Sequence, residues 1–158
     1  MRAWRLSLER YASRLEGGFG LAQAGRWNSL GKRVTYAATT PSLCVLEKLV
    51  HLDLAVALPE DLVLVEIEVP DAGGIVRLEP ADLPEGWARD ELITRRIGDA
   101  WYEERGSLAL SVPSVILPLT DVADRNLVLN HDCVGAARLH ILRAEPFRLD
   151  QRLRSNLG

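Results

Sequence analysis

The chain is poor in the residues that mark disulfide-rich, metal-binding or membrane proteins. Its 158 residues include two cysteines, three histidines and one methionine, and two cysteines do not make the disulfide framework of a small secreted domain. No apolar run approaches the ~18–20 residues that a helix needs to cross a bilayer. The amphipathic first residues, MRAWRLSLERYASR, lack the apolar segment of a secretory signal. We therefore expect a cytoplasmic protein without a membrane span.

A metal site is also disfavoured. The run His131-Asp132-Cys133 places three ligand types side by side. Its spacing fits no standard zinc pattern, and neither CxxC nor HxxxH accompanies it. We expect no bound metal, and we expect Cys44, which lies in an apolar helical stretch, to be part of the core.

The charge balance argues against direct nucleic-acid binding. There are 19 Lys and Arg against 22 Asp and Glu, which gives a net charge of −3, whereas proteins that bind nucleic acids usually carry a basic footprint. The 47% of hydrophobic and 26% of charged residues are typical of a globular domain with an apolar core. The length predicts a single domain over residues 1–158.

Hydrophobic periodicity predicts an α+β fold. Thr40 is suited to an N-cap and Pro41 to the first helical position, so a helix is expected to begin there and to run to Leu54. A second helix is expected over Asp90–Glu104. Strands are expected at Ala3–Ser7, Arg33–Ala37, Leu62–Val69, Val115–Leu119, Leu127–Asn130 and Ala137–Ala144. Because strands outnumber helices without strict βα alternation, a doubly wound fold is disfavoured.

The densest group of chemically useful residues begins in the loop Gly25–Gly31. This loop carries Arg26 and Asn28 between two glycines. Backbone N–H groups and a guanidinium can together hold a phosphate or pyrophosphate. A turn that joins a long loop to a strand would also use two glycines, so the loop alone leaves both interpretations open.

Three further positions also have two interpretations. Glu47 borders the apolar side of its helix, where a carboxylate is partly desolvated unless it faces a cleft; a surface pair with His51 is the alternative. Tyr36 is typical of a buried strand face. Ser114, which is expected to precede a strand, is typical of a turn cap.

Together these segments resemble the RES-domain family, the toxin half of RES–Xre toxin–antitoxin modules, which is named for Arg, Glu and Ser. The resemblance covers nearly the whole chain. One departure is Asn130-His131, where the family usually has Asn-Pro. The matching segments are Trp4–Leu6 (WRL), Gly25–Gly31 (GRWNSLG), Val34–Leu52 (VTYAATTPSLCVLEKLVHL), Ile97–Trp101 (IGDAW), Ser111–Pro118 (SVPSVILP) and Asn126–Asn130 (NLVLN).

The resemblance implies an ADP-ribosyltransferase-like fold, with a central, mostly antiparallel or mixed sheet flanked by helices. It implies an enzyme that binds NAD as its substrate and breaks the nicotinamide–ribose bond, as an NAD glycohydrolase or an NAD phosphorylase. Inorganic phosphate is the co-substrate in the second case, and no other cofactor is implied. A protein ADP-ribosyltransferase and a non-catalytic nucleotide-binding module are the alternatives. The implied partner is an Xre-type antitoxin, and a homodimer is left open.

The resemblance also implies roles for individual residues. Glu47 is the catalytic carboxylate, Arg26 and Arg5 grip the NAD phosphates, and Tyr36 packs against the nicotinamide or its ribose. These residue types suit the chemistry, because cleavage of an N-glycosidic bond builds positive charge at the ribose that a carboxylate can stabilise. The nicotinamide ring is already cationic in NAD and leaves as a neutral molecule, so no strong general acid is needed.

Three polar positions complete the implied site. Ser114 is the family serine, with Ser111 as the alternative, because both lie in the same short element. Asn28 is expected to contact NAD together with Arg26. Arginine suits a pyrophosphate because its planar guanidinium is always charged and binds oxygen pairs in a bidentate manner.

Overall fold

The structure, a computed structural model, describes residues 1–51 and 59–152. Within these residues one sheet of seven strands carries the fold. The strands are β1 (Arg2–Leu8), β2 (Val34–Ala38), β3 (Leu62–Glu68), β4 (Ile75–Arg77), β5 (Ala109–Val112), β6 (Asn126–Asn130) and β7 (His140–Phe147). The α-helices are α1 (Glu9–Ala12), α2 (Gly18–Ala22), α3 (Pro41–Val50) and α4 (Glu91–Glu104), and short 3-10 turns lie at Asp71–Gly73, Pro80–Asp82 and Ala136–Arg138.

The strand order is β4-β5-β6-β2-β1-β3-β7. Every neighbouring pair is antiparallel except β4 and β5, which are parallel. The predicted α+β class with a mostly antiparallel, mixed sheet is therefore confirmed.

Both predicted helices are present. Thr40 caps α3 by accepting a hydrogen bond from the Leu43 backbone N–H at 3.3 Å. Asp90 caps α4 in the same way, with its carboxylate 2.9 Å from the Leu92 nitrogen. The predicted end of the first helix at Leu54 lies outside the described residues.

The strand predicted at Val115–Leu119 is wrong, because the strand in this region is β5, which ends at Val112. Pro113 has no N–H for a ladder, and the Ser114 hydroxyl accepts the backbone N–H groups of Ile116 and Leu117, both at 3.1 Å. A serine that captures nearby backbone donors in this way favours a turn over a strand.

Three other sequence assignments are shifted or incomplete. The strand predicted at Ala137–Ala144 is displaced, because its first residues form the turn Ala136–Arg138 and β7 runs from His140 to Phe147. Strand β4 and helices α1 and α2 lie in segments for which no helix or strand was predicted. Each of these elements is short, so its sequence pattern spans too few residues to be recognised.

The sheet separates two apolar cores. Leu6, Ala38 and Val128 lie on the face covered by α3 and α4, which we call the helical face. Ala3 and Leu127 lie on the other side, which we call the opposite face. Because strand side chains alternate between faces, the position of a residue in its strand decides which of the two surfaces its functional groups can reach.

Helix α4 approaches the loop Gly25–Gly31 without an intervening side chain. A Cβ atom added at Gly98 would lie 2.0 Å from the Trp27 carbonyl oxygen. That atom belongs to the backbone, so no side-chain rotation can relieve the overlap. Gly98 therefore sets the separation between α4 and this loop.

We predict that Gly98→Ala destabilises the protein by about 1–3 kcal/mol, the usual cost of an overpacked contact, despite the better helix propensity of alanine. Gly106→Ala is the matched control, because a Cβ there meets no atom within 4 Å. Urea unfolding of both variants measures the difference. Equal midpoints for the two variants would contradict the proposed close contact.

Candidate active site

The carboxylate of Glu47 is held at one oxygen by two side chains, one from the turn after β5 and one from β6. Its Oε1 accepts a hydrogen bond from the Ser114 hydroxyl at 2.8 Å and a short one from the Asn126 side-chain amide. Glu47 lies one turn beyond Leu43, whose side chain is buried on the helical face, and this spacing directs Glu47 toward the sheet. The Oε2 oxygen of this half-buried residue has no hydrogen bond with any described residue.

Ser114 is fully buried, and its hydrogen bonds fix the direction of its proton. The oxygen accepts two backbone N–H groups of the turn that follows β5, and the hydroxyl proton is donated to Glu47. Ser114 thus orients the carboxylate and is not itself accessible to a ligand. The expectation that it caps a turn and the expectation that it belongs to the site are both consistent with this geometry.

Asn126 was missed by the sequence reasoning. It is the first residue of β6 and shares its face with Val128 and Asn130. The signal was present in the segment NLVLN, where a polar residue alternates with apolar ones on a face expected to be buried. Without the register of β6 against its neighbours, the sequence does not show that this amide meets Glu47.

Tyr36 lies on the helical face of the sheet, as does Asn126. It pairs with Val128, and the next pair on the same face of the two strands is Ala38 with Asn126. Tyr36 and Asn126 are therefore diagonal neighbours, about 7–8 Å apart. The ring of Tyr36 meets that of Phe19 edge to face, with centroids 5.7 Å apart.

The hydroxyl of Tyr36 is committed to the loop that carries Arg26. It accepts a hydrogen bond from the Trp27 backbone N–H at 2.9 Å and donates one to the Asn28 side-chain oxygen at 2.7 Å. Burial raises the pKa of Tyr36 above its usual value, so the phenol stays neutral at physiological pH. The ring, rather than the hydroxyl, is the part of Tyr36 that remains for contact with a ligand.

Helix α4 fixes the same loop from the other side. The Thr94 hydroxyl donates to the Arg26 carbonyl at 2.8 Å, and the Arg95 Nε donates to the Gly25 carbonyl at 2.9 Å. Asp99 accepts hydrogen bonds from both the backbone N–H and the hydroxyl of Ser29. The backbone at Arg26 is therefore held in place by side chains of α4.

The guanidinium of Arg26 makes only long contacts. Its Nη1 lies 3.4 Å from the carbonyl oxygens of Trp87 and Ala88, and its Nη2 lies 3.5 Å from the Glu91 carboxylate. The side chain is 26% exposed. Contacts of this length are weak, so shorter hydrogen bonds to an anion can replace them. Asn28, by contrast, is 1% exposed and supports the loop from inside.

Two predicted binding residues lie away from this group, on the opposite face of the sheet. Arg5 donates from Nη2 to the carbonyls of Tyr11 and Ala12 at 3.1 and 3.2 Å, and burial lowers its pKa. The Ser111 hydroxyl accepts a hydrogen bond from Arg125 at 2.8 Å. The structure thus joins Glu47 to Ser114 and places Tyr36 on the same face of the sheet, bonded to the loop of Arg26 and Asn28. Arg5 and Ser111 lie on the opposite face.

Two other kinds of feature are absent from the described residues. In residues 1–51 and 59–152, no group of three or more His, Cys, Asp or Glu residues is placed to hold a metal ion. No helix in the described part of the chain is long and apolar enough to cross a membrane.

The RES domain family matches residues 2–150. The chain belongs to the RES-domain family. A Pseudomonas putida protein named Toxin Res is 38% identical over 159 residues, which cover 97% of this chain and 99% of that protein. The Prs ADP-ribosylating toxin of a Sphingobium species is 34% identical over 134 residues, 80% of each chain. These relatives identify the chain as a RES-domain toxin.

A solved structure has the same fold. A chain in the crystal structure of the Mycobacterium tuberculosis MbcT–MbcA toxin–antitoxin complex matches with a TM-score of 0.72. The match covers 99% of this chain and 87% of that one, at 19% sequence identity. In this RES domain, the serine that bonds Glu47 is Ser114 and not Ser111.

We predict that Tyr36→Phe destabilises the protein by about 1–3 kcal/mol, because the substitution leaves two buried groups, the Trp27 N–H and the Asn28 side-chain oxygen, without a partner. Tyr11→Phe is the control, since Tyr11 is 46% exposed and its hydroxyl has no hydrogen bond within the described residues; it should change stability by less than about 0.5 kcal/mol. Thermal and urea unfolding check both values. A Tyr36→Phe variant as stable as the control would show that this hydroxyl does not support the loop.

Proposed function

We propose that this RES-domain toxin breaks the nicotinamide–ribose bond of NAD. The observation that carries the proposal is the Glu47 carboxylate, which has one oxygen fixed by Ser114 and Asn126 and the other without a described partner. A carboxylate held in this way is preorganised: it can stabilise positive charge without having to reorient during the reaction.

In the proposed reaction, Glu47 binds the ribose hydroxyls and stabilises the oxocarbenium character that develops as the bond breaks. The ring of Tyr36 supplies an apolar, aromatic face for the nicotinamide or its ribose. The nicotinamide nitrogen is cationic in NAD and becomes neutral on departure, so the leaving group needs no proton. This agrees with the hydrogen bonds of Glu47, which within residues 1–51 and 59–152 come from Ser114 and Asn126 and not from a histidine.

Arg26 is the proposed contact for the NAD pyrophosphate. Its three contacts to the segment Trp87–Glu91 are long, whereas a guanidinium–phosphate pair is short, bidentate and charge-assisted. NAD is therefore expected to displace these contacts. Asn28 supports this interaction by holding the loop to Tyr36.

We predict that Glu47→Gln lowers NAD turnover by about 100–1000-fold, the usual cost of losing one preorganised electrostatic contact. Glutamine can still accept the hydrogen bonds of Ser114 and Asn126 through its amide oxygen, so the fold should be retained. Glu104→Gln is the matched control, because Glu104 is an exposed residue of α4. Turnover is measured as the rate of nicotinamide release. A near-normal rate in a folded Glu47→Gln variant would contradict the catalytic role of Glu47.

The acceptor of the ADP-ribosyl group is a separate question. Water gives ADP-ribose, inorganic phosphate gives ADP-ribose 1″-phosphate, and a protein side chain gives an ADP-ribosylated protein. The last outcome is a second candidate function, and the 34% identity to a protein named Prs ADP-ribosylating toxin favours it.

Incubation of the purified chain with NAD, with and without phosphate and with and without bacterial lysate protein, distinguishes these outcomes. Mass spectrometry identifies the small-molecule product, and isotope-labelled NAD reports transfer to protein. We expect free ADP-ribosyl product from NAD alone or with phosphate. Label found only on protein would favour the second candidate, and an unchanged NAD pool in every arm would favour a non-catalytic binding module.

The proposal includes a partner that restrains the enzyme. A cytoplasmic enzyme that consumes NAD is harmful to its own cell unless it is inhibited, and the solved relative is in a toxin–antitoxin complex. We propose an antitoxin of the Xre type as the partner of this chain.

A further inference from the structure

A cavity lies on the opposite face of the sheet from Glu47, where β2 leads into α3. Its volume is about 380 Å³. The polar part of its wall comes from two arginines and three hydroxyl residues on different strands and loops: Arg77, Arg125, Thr39, Thr40 and Ser111. None of the lining residues is an acid, and the apolar part of the wall comes from Met1, Ile75, Val122 and Ala123.

Arg125 is the buried charge of this cavity. Its side chain is 3% exposed. It donates from Nε to the Ser111 hydroxyl at 2.8 Å, from Nη2 to the carbonyls of Leu78 and Ser111, and from Nη1 to the Glu79 carboxylate at 3.1 Å. These contacts leave one Nη1 hydrogen without a described partner. Burial lowers the pKa of Arg125, which reflects a charge that an added anion would stabilise.

Arg77 supplies a second charge at the mouth of the cavity. Its Nε is hydrogen-bonded to the same Glu79 carboxylate, and its side chain is 51% exposed. The two terminal nitrogens of Arg77 have no partner among the described residues. One carboxylate is therefore shared by two guanidinium groups, and the pair retains a net positive charge.

The hydroxyl groups complete the donor set. The Ser111 oxygen accepts from Arg125, but its own proton has no described acceptor. Thr40 donates to the Asp124 carboxylate and Thr39 to the Ala123 carbonyl, so these two are already engaged. The unused donors are thus the Ser111 hydroxyl, one Nη1 hydrogen of Arg125 and the terminal nitrogens of Arg77.

We propose that this cavity binds a phosphate group. Guanidinium groups bind phosphate oxygens through charge-assisted, bidentate hydrogen bonds, and a hydroxyl donor adds a third direction that suits a tetrahedral anion better than a planar carboxylate. The group can come from inorganic phosphate or from a phosphomonoester, since the chemistry that recognises it is the same. The site lies across the sheet from the proposed NAD cleft and does not depend on NAD cleavage.

The backbone connects this site to Glu47. Arg125 immediately precedes Asn126, which bonds the Glu47 carboxylate. Thr40 caps the helix that carries Glu47. Phosphate at Arg125 is therefore expected to perturb the NMR signals of Asn126 and Thr40. A phosphate bound as co-substrate would instead perturb the signals of Tyr36 and of the loop that carries Arg26.

The test is a titration of the full ¹⁵N-labelled chain with inorganic phosphate, and separately with ribose 5-phosphate, at constant ionic strength in chloride. We expect saturable amide shifts at Thr40, Ser111 and Arg125 and no comparable shift at Trp27. Calorimetry of Arg77→Gln should show affinity reduced by about tenfold, the scale of one lost charge-assisted hydrogen bond. Arg96→Gln, which removes an exposed charge on α4, should bind as the unsubstituted chain does.

Each result decides the proposal. Saturable shifts at the named amides with either probe support it, and binding of ribose 5-phosphate alone assigns the phosphate to an organic ligand. Shifts centred on Arg26 and Tyr36, unchanged affinity in a folded Arg77→Gln variant, or no saturable binding of either probe would overturn it. Because the amide shifts of the unsubstituted chain locate the ligand, a misfolded variant does not leave the proposal undecided, and none of these readouts requires NAD turnover.

Discussion

The hydrogen bonds at the Glu47 Oε1 atom join three parts of the chain that are far apart in sequence. Glu47 comes from α3, Ser114 from the turn after β5, and Asn126 from the start of β6. A half-buried carboxylate is costly unless it is paired with donors, so these partners are needed to keep Glu47 at the sheet. The same pairing leaves the second oxygen available, and this division between a fixed and a free oxygen is what makes the site chemically useful.

The second constraint is the double attachment of the loop Gly25–Gly31. The Tyr36 hydroxyl holds it from the sheet, and α4 holds it through Thr94, Arg95 and Asp99. The polar atoms of the loop are thereby satisfied internally, while the Arg26 guanidinium keeps only long contacts. The hydrogen bonds that fix the loop therefore involve its backbone and not the Arg26 guanidinium. Arg26 is positioned by the loop, and its guanidinium remains able to bind a ligand.

Much of the fold was predictable from local signals, and the errors have local causes. The cap at Thr40-Pro41 and the periodicity of Asp90–Glu104 gave correct helix starts, because both signals act within one turn. The strand expected at Val115–Leu119 failed because Ser114 captures backbone donors there. Arg5 and Ser111 could not be assigned to a surface from the sequence, because which face a strand residue occupies depends on the register with neighbouring strands.

That dependence on register links the two surfaces of the sheet. Arg125 and Asn126 are adjacent, and the alternation of the strand turns one toward the cavity and the other toward Glu47. Likewise, Thr39 lies at the cavity, and the chain continues through the Thr40 cap into α3. A displacement of β6 by one residue would exchange the arginine and the amide, placing a charge against Glu47 and removing the guanidinium from Ser111. The polar groups of both faces therefore specify the same register of β6, in addition to the apolar residues between them.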